Sequence, residues 1–346
     1  MSRNRIIYQS QALFVGPTGV GALTQIQRVQ SVSHNSAINR TNIQQFGQLS
    51  QVDRVQLTPP TVTMNFEALL VNAVNAKALG FVVDGTVSCI ASIASGVTDT
   101  HNYYISLAPE GSDVINTTGA GGFGFGNGFL SDARFQGAVG QTPTESYSIE
   151  ALNDATYIIS SGTVPTVDQR TGLPVAGSPK FVFPTAVTGT ASSVAALQPG
   201  DISLTLTDTF GFDPAGLHVQ NFNLNVPLAR ENINQLGTKF AFAKVITFPV
   251  TVTATFECVA GDIVAANLSD KLCTDNPVNF TIDLKEPNCS GNGNIAIRFN
   301  LKGAKLDSTN YTSNIGSNAT VNFSYSTLLG GPEEVTKGLF ISGIST

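Results

Sequence analysis

Apolar and polar residues alternate along much of this chain, as they do in β-strands that bury one face. In residues 61–67, Val62, Met64 and Phe66 fall on one side, whereas Thr61, Thr63, Asn65 and Glu67 fall on the other. The same period of two recurs in residues 103–107, 203–207, 279–284, 295–301 and 320–325. The pattern predicts a mainly β fold.

A segment of fifty residues, 29–78, recurs without a gap at 219–268, and seventeen of the aligned positions are identical. The identities include Arg40/Arg230, Asn42/Asn232, Ile43/Ile233, Gly47/Gly237, Pro59/Pro249, Thr61/Thr251, Val62/Val252, Thr63/Thr253, Phe66/Phe256 and Glu67/Glu257. The period is much longer than the modules of a solenoid, so we interpret it as duplication of a whole folding unit. Two similar domains in one chain suggest internal pseudo-symmetry.

The length of 346 residues suits two domains, each large enough to bury its own core. We place one domain at 1–161 and the second at 198–346. Between them, residues 162–197 are rich in Pro and Gly, which favours a linker or extended loop with one strand at 180–183. We expect this long segment to reach a neighbouring subunit or ring.

Local signals refine the elements of each repeat. Pro59 and Pro249 cannot donate a ladder hydrogen bond, so a strand should begin or bulge at each. Residues 67–79 are rich in Ala, Leu and Val and precede Gly80, which predicts a helix with a glycine C-cap. Residues 262–272 are the weaker helical counterpart in the second repeat.

Two glycine-rich stretches raise the question of nucleotide binding. GPTGVG at 16–21 lacks the Lys-Ser or Lys-Thr of a phosphate loop and any βαβ context, so we interpret it as a turn. GAGGFGFGNG at 119–128 lacks the strand and helix of a dinucleotide site. We expect it to be a mobile loop that carries Phe123 and Phe125 into a neighbour.

Composition narrows the function classes. Only 12% of residues are charged, about half of the average for soluble domains, and Trp is absent, which indicates a protein that hides much of its surface in contacts. The net charge is −6 without a basic patch, which argues against tight nucleic-acid binding. The start of the chain lacks the apolar region of a signal peptide, and no apolar stretch approaches membrane-spanning length, so we expect synthesis in a cytoplasm and no membrane partner.

Chemistry-bearing residues are sparse. Cys89, Cys258, Cys273 and Cys289 have no zinc spacing and are expected to be reduced core thiols. His34, His101 and His218 form no triad or ligand spacing, and no G-x-S-x-G motif occurs. A carboxylate pair brought together from distant strands stays open, since spacing alone does not exclude it. We expect no enzyme activity, no cofactor and no metal.

The repeated residues also carry a family resemblance. VQSVSHNSAINRTNIQQFGQ followed by TPPTVTMNFEALL, and FPVTVTATFECVAGD in the second copy, are similar to the core of bacteriophage tail tube proteins. The resemblance covers the two fifty-residue segments. It implies tandem β-sandwich or half-barrel domains with a short flanking helix, six of which close a ring that stacks into a conduit for the genome. With two domains per chain, it implies three subunits per ring.

The resemblance gives a functional expectation: a virion structural protein of the tail tube, assembled in the host cytoplasm. Its implied partners are further copies of itself, a tape measure, a terminator, a baseplate or tip protein, and passing DNA that is not held tightly. Alternatives are another virion β-sandwich protein, such as a capsid decoration, baseplate or fibre component, and a carbohydrate-binding adhesin. The absence of Trp counts against the adhesin.

The polar strand faces supply candidate lumen residues. They are Thr61, Thr63 and Glu67 in the first repeat and Thr251, Thr253 and Glu257 in the second. Their opposite faces are apolar and must pack on a core, so these side chains must face water or an interface. A face that repels phosphate would let DNA slide. Alternation does not distinguish a lumen from an outer wall, and the outer wall stays the alternative.

Overall fold

The computed structural model describes residues 6–7, 10–108, 114, 121–184, 197–206, 209–271, 276–288 and 293–344. In these ranges the chain forms antiparallel strands and three short helices, which confirms the mainly β fold class. The strands are β1 Gln11–Pro17, β2 Thr24–Gln25, β3 Val29–Ala37, β4 Thr41–Ile43, β5 Asp53–Val55, β6 Thr61–Leu69, β7 Thr100–Leu107, β8 Gly121–Ala138, β9 Thr144–Ala151, β10 Asn153–Tyr157, β11 Ser161–Thr163, β12 Lys180–Val182, β13 Ile202–Thr205, β14 His218–Pro227, β15 Arg230–Ile233, β16 Ala243–Ile246, β17 Val250–Val259, β18 Val278–Lys285, β19 Ile295–Thr312, β20 Thr320–Leu329 and β21 Gly338–Gly343. The helices are α1 Val74–Ala78, α2 Ala91–Ala94 and α3 Leu268–Lys271, and single 3₁₀ turns lie at Pro199–Asp201 and Pro214–Gly216.

The two repeated segments form the same strand pairs in the same register. β3 pairs with β6 and β14 pairs with β17, and each ladder has a bulge at the equivalent place, between Val29 and Ser31 and between Val219 and Asn221. Ser31 lies opposite Glu67, and Asn221 lies opposite Glu257, an offset of 190 residues on both strands. The small hairpins β4–β5 and β15–β16 keep the same offset. The sequence repeat therefore corresponds to a repeated backbone arrangement.

This correspondence extends beyond the aligned sequences. β9 adds to β6 and β8 adds to β9, just as β20 adds to β17 and β19 adds to β20. Each of the long strands β8 and β19 has a bulge at the equivalent place, after Leu130 and after Leu306. The first half thus has the strand order β1-β7-β8-β9-β6-β3, and the second half has the order β13-β18-β19-β20-β17-β14.

The two halves join edge to edge between β8 and β14, whose residues 132–138 and 221–227 form an antiparallel ladder. This joint creates a continuous run of eight strands in the order β3-β6-β9-β8-β14-β17-β20-β19. The first part of β8 pairs instead with β7 and β10, and the first part of β19 pairs with β18 and β21. These four strands form the opposing layer. The eight-strand sheet has one face packed on that layer and one face left over.

The core lies between the layers and spans both halves. Val62, Met64 and Phe66 are at most 4% exposed, as their alternation predicts, and belong to the same buried cluster as Val252, Ala254 and Phe256. Rings from the two halves touch directly, with the centroids of Phe135 and Phe299 4.8 Å apart. The division into domains at 161 and 198 stays a prediction, since the halves share a sheet and a core cluster.

A buried carboxyl distinguishes the first half. Glu145 on β9 points into the core, where Asn75 Nδ2 donates to its Oε1 (2.6 Å) and the Tyr147 hydroxyl donates to its Oε2 (2.9 Å). Burial raises the pKa of Glu145 to about 7, although both hydrogen bonds act in the opposite direction. Asn75 also bonds both backbone groups of Gln27 and so holds α1 against the sheet.

The strand starts are confirmed and the helix prediction is largely wrong. β6 begins at Thr61 and β17 begins at Val250, just after the marked prolines. Residues 67–69 continue β6, because β9 pairs with them to Leu69 and Ala68 is buried; helix α1 covers only Val74–Ala78. Gly80 has the left-handed φ of +93° expected beyond a helix end. In residues 262–272, only Leu268–Lys271 is helical among those described.

Over its described residues the glycine tract is a strand, contrary to our loop prediction; residues 119 and 120 lie outside the described ranges. Residues 121–128 open β8, and Phe125 is fully buried in the chain's own core. A Cβ at Gly122 would lie 2.1 Å from the Ile105 carbonyl oxygen, and one at Gly126 would lie 2.0 Å from the Pro165 carbonyl oxygen. Glycine at these two positions therefore allows a neighbouring backbone segment to approach closely. The turn at 16–21 is confirmed, with Gly19 at φ +78°.

The Pro-rich segment packs on the first half instead of extending away over its described part. β11 pairs with β12, which confirms the predicted strand near 180–183, and Phe181 and Phe183 bury against Phe14 and Tyr104. Residues 185–196 lie outside the described ranges. The other period-two segments fall on β7, β13, β18, β19 and β20, although residues 103–106 in β7 are buried on both faces.

Candidate functional site

The six candidate lumen residues lie on one face of one continuous sheet. Following cross-strand partners from Glu67 leads through Ser146, Arg134 and Asn225 to Thr253, and directly opposed residues share a face. Thr61 and Thr63 are exposed, and Glu67, Thr251, Thr253 and Glu257 are half-buried. The structure therefore brings the two predicted sets together, and β8 and β14 connect them.

Hydroxyl and amide side chains dominate this face, which we term the polar face. On the connecting and flanking strands its members are Ser31, Ser33, Asn35, Asn65, Thr144, Ser146, Ser148, Gln136, Asn221, Asn223, Asn225, Thr255, Thr320, Asn322, Ser324, Ser326, Ser308, Asn310 and Thr312. The candidate lumen residues chosen from the sequence lie on two of its eight strands, β6 and β17. The remaining strands required the pairing of distant segments.

Charge on the polar face is sparse and mostly acidic. Among the residues of its eight strands, five carboxylates stand against two basic side chains, a net charge of −3: Glu67, Asp132, Glu150, Glu257 and Asp307 against Arg134 and Lys305. Lys244, from β16 outside these strands, pairs with Glu150. Arg134 pairs with Asp132 at 2.8 Å, and Glu257 accepts a hydrogen bond from Asn221 Nδ2 at 2.6 Å. The face can therefore repel phosphate and has little with which to hold it.

A cluster of side chains caps the joint between the halves. The side chain of Arg230 is 3% exposed, and its Nη2 lies 2.6 Å from Asp99 Oδ1 of the first half. Its guanidinium also lies over the Phe129 ring, 5.1 Å from the centroid. Lys244 Nζ lies over the same ring at 5.3 Å and reaches Glu150 Oε2 at 2.7 Å. These second-half cations fix the position of the joint by contacts with the first half.

The described residues offer little for catalysis or metal binding. They contain no group of three or more His, Cys, Asp or Glu side chains placed to hold a metal ion. Cys89 and Cys258 are buried free thiols, as predicted, and burial raises the pKa of Cys258 to about 11; Cys273 and Cys289 lie outside the described ranges.

The three histidines are far apart in role and position. His34 packs against the Phe123 and Phe125 rings, His218 is exposed on β14, and His101 is buried in β7, where burial lowers its pKa.

Within the described ranges, no helix has the length and apolar content to span a membrane.

Comparisons with known proteins give little further information. No protein-family model matches the chain, and no curated protein matches it. Among solved structures it is similar to a chain of the cryo-EM structure of the anti-feeding prophage (AFP) baseplate, 6-fold symmetrised, with a TM-score of 0.31 and 12% sequence identity, over 45% of this chain and 97% of that chain. A TM-score this low establishes no shared fold.

Proposed function

We propose that this protein is a structural component of a bacteriophage tail, in which rings of identical chains stack into a tube whose polar face lines a channel for DNA. The observation that carries the proposal is the β8–β14 joint, which fuses two halves of equal topology into one sheet with an unbroken polar face. Repeating such a head-to-tail joint between chains generates a ring when the rotation closes.

The strand count favours three chains per ring. Strands lie about 4.8 Å apart and tilt by about 40° in barrels, so twenty-four strands give a barrel about 48 Å across, measured between backbones. Side chains on facing walls take up about 10 Å of this. The remaining channel is wider than a DNA duplex. Two chains would supply sixteen strands and a barrel only about 32 Å across by the same reasoning, which a duplex would fill.

The electrostatics agree with passage of DNA without capture. A three-chain ring would carry three copies of the net −3 polar face, so phosphate groups would meet a weakly repulsive wall. The role is mechanical, without catalysis or a cofactor. Its partners would be further copies, the tape measure, the terminator and the baseplate or tip proteins of a virion tail assembled in the host cytoplasm.

Negative-stain microscopy of the purified protein tests this function. We expect hollow tubes or closed rings, with ring masses of three chains. Protein that stays monomeric across concentration would contradict the proposal and favour a different virion component or a carbohydrate-binding adhesin, which a glycan-binding screen would then separate.

A further inference from the structure

The strands that form the internal joint have counterparts that form no such joint within the chain. β14 is covered by β8, whereas its counterpart β3 pairs only with β6 among the described strands. Residues 132–138 of β8 have β14 on one edge, whereas residues 308–312 of β19 pair only with β20 in the described part of the chain. Each chain therefore has two uncovered strand edges. One is β3, the counterpart of β14, and the other is residues 308–312 of β19, the counterpart of the part of β8 that pairs with β14.

Exposure follows this asymmetry. Inward-facing residues of β14 are buried by the joint, with Leu224 1% exposed and Val226 fully buried, whereas the corresponding His34 and Ser36 of β3 are exposed. Phe135 of β8 is fully buried, and the corresponding Tyr311 of β19 is 56% exposed.

The arginine shared by both repeats follows the same pattern. Arg230 is buried over Phe129, whereas Arg40 is exposed. Equivalent positions therefore differ by what covers them.

Both uncovered edges are chemically open to strand pairing. Proteins commonly protect sheet edges with Lys, other charges or Pro. Residues 29–37 read VQSVSHNSA and residues 308–312 read STNYT, without a charged residue or proline in either. Edges of this kind can pair with a strand of another chain.

We propose that β3 of one chain pairs antiparallel with residues 308–312 of a second copy, in the register of the internal joint. In that joint Asn223, Leu224 and Asn225 lie opposite Gln136, Phe135 and Arg134. Carried over through the matched ladders, Asn35 lies opposite Asn310, His34 opposite Tyr311, and Ser33 opposite Thr312. The pairing rests on the self-assembly in the proposed function and gives it a residue-level register.

The joint is head to tail, because the two edges are different strands. Each copy donates one β3 and accepts one β3, so closure leaves no unpaired edge in the eight-strand sheet. The polar face then continues from chain to chain, since register fixes which side chains share a face.

Disulfide trapping tests the register. The variant carries Asn35→Cys with Asn310→Cys, with Cys273→Ser and Cys289→Ser to remove other thiols outside the described core. Directly opposed Cα atoms in an antiparallel pair lie about 4.5–5.5 Å apart, within the range for a disulfide, whereas diagonal neighbours at about 7–8 Å fall outside it. The matched control pairs Asn35→Cys with Thr312→Cys. Each single cysteine variant is a second control, since a head-to-tail joint never brings two copies of one position together.

Mild oxidation of the assembled protein should link the direct pair about tenfold more than the shifted pair, as a ladder of dimer and trimer on non-reducing gels. Equal or preferred linking of the shifted pair overturns the register, as does strong linking of either single variant. If the double variant fails to fold, hydrogen exchange on the unmodified protein decides instead. Residues 31–37 and 308–312 should gain protection on assembly, and unchanged exchange there overturns the proposal.

The outcomes separate this inference from the proposed function. Tubes seen by microscopy without linking at the direct pair leave the function standing and remove the register. Linking at the direct pair in protein that forms open oligomers, without rings or tubes, supports the joint and contradicts the tail tube.

Discussion

Reversing the charge of Glu67 and Glu257 together tests whether the polar face meets DNA. Both carboxylates are half-buried on this face, one in each half of the sheet. We expect Glu67→Lys with Glu257→Lys to leave folding and assembly intact, because substitutions at positions outside the core usually change stability by about 0.5 kcal/mol. Loss of the Asn221 hydrogen bond to Glu257 adds about 1 kcal/mol.

The expected electrostatic change is large. The polar face carries a net charge of −3 per chain, and the double change moves it to +1. A three-chain ring would gain six lysines, and if all reach phosphates the logarithm of the DNA association constant should fall with the logarithm of salt concentration with a slope of about −5. Binding should then weaken by about 10³-fold between 50 and 200 mM salt.

The assay is retention of short fluorescent DNA duplexes by assembled tubes at increasing salt. Unmodified tubes should retain little DNA, and the double variant should retain it in the salt-sensitive manner above. A matched control places the same charge change at Glu231→Lys with Glu333→Lys, two exposed positions outside the eight strands. Equal retention by the control, or none by the double variant, would refute the assignment of this face to the DNA path.

Three further predictions concern stability. Burial raises the pKa of Glu145 to about 7 in the folded protein, so the contribution of this group to stability should be complete below pH 4.5 and should fall by up to about 3 kcal/mol as pH rises through 7. In urea titrations, the difference in stability between the unmodified protein and Glu145→Gln should change by that amount over this range, and a difference that does not change with pH would contradict it. Gly126→Ala should lower the stability measured by thermal unfolding by about 2 kcal/mol, because the added Cβ meets a backbone oxygen. Gly331→Ala, where the added Cβ meets open space, should change stability little; equal effects of the two substitutions would show that Gly126 is not required for close backbone approach. Phe135→Ala should lower the free energy of unfolding by about 4 kcal/mol. Tyr311→Ala should leave the stability of the isolated chain nearly unchanged and weaken self-association measured by sedimentation; a large loss of monomer stability would contradict an exposed edge at this position.

Sequence patterns sufficed for elements whose determinants are local. Alternation and the flanking prolines predicted β6 and β17, and the repeat predicted that both would share one arrangement. The helix at 67–79 failed because pairing with β9 extends the strand through Leu69, and tertiary pairing overrides the helical propensity of Ala and Leu. The glycine tract failed because its glycines serve close backbones supplied by distant segments.

The candidate site could be predicted only in part. Two strips of the polar face followed from alternation, but their union in one sheet depends on the β8–β14 ladder, which pairs residues about ninety positions apart. The hydrogen-bonded site around buried Glu145 was not predicted from the sequence either, because its partners Asn75 and Tyr147 come together only through the packing of α1 on β9. Long-range pairing leaves no local period to detect.

Cryo-electron microscopy of the assembled protein would show directly whether the polar face lines a channel. We expect stacked rings of three chains, with the eight-strand sheets closed into one barrel and density for the side chains of Glu67 and Glu257 pointing into the lumen. Rings in which these side chains lie on the outer wall, or assemblies without a closed barrel, would contradict it.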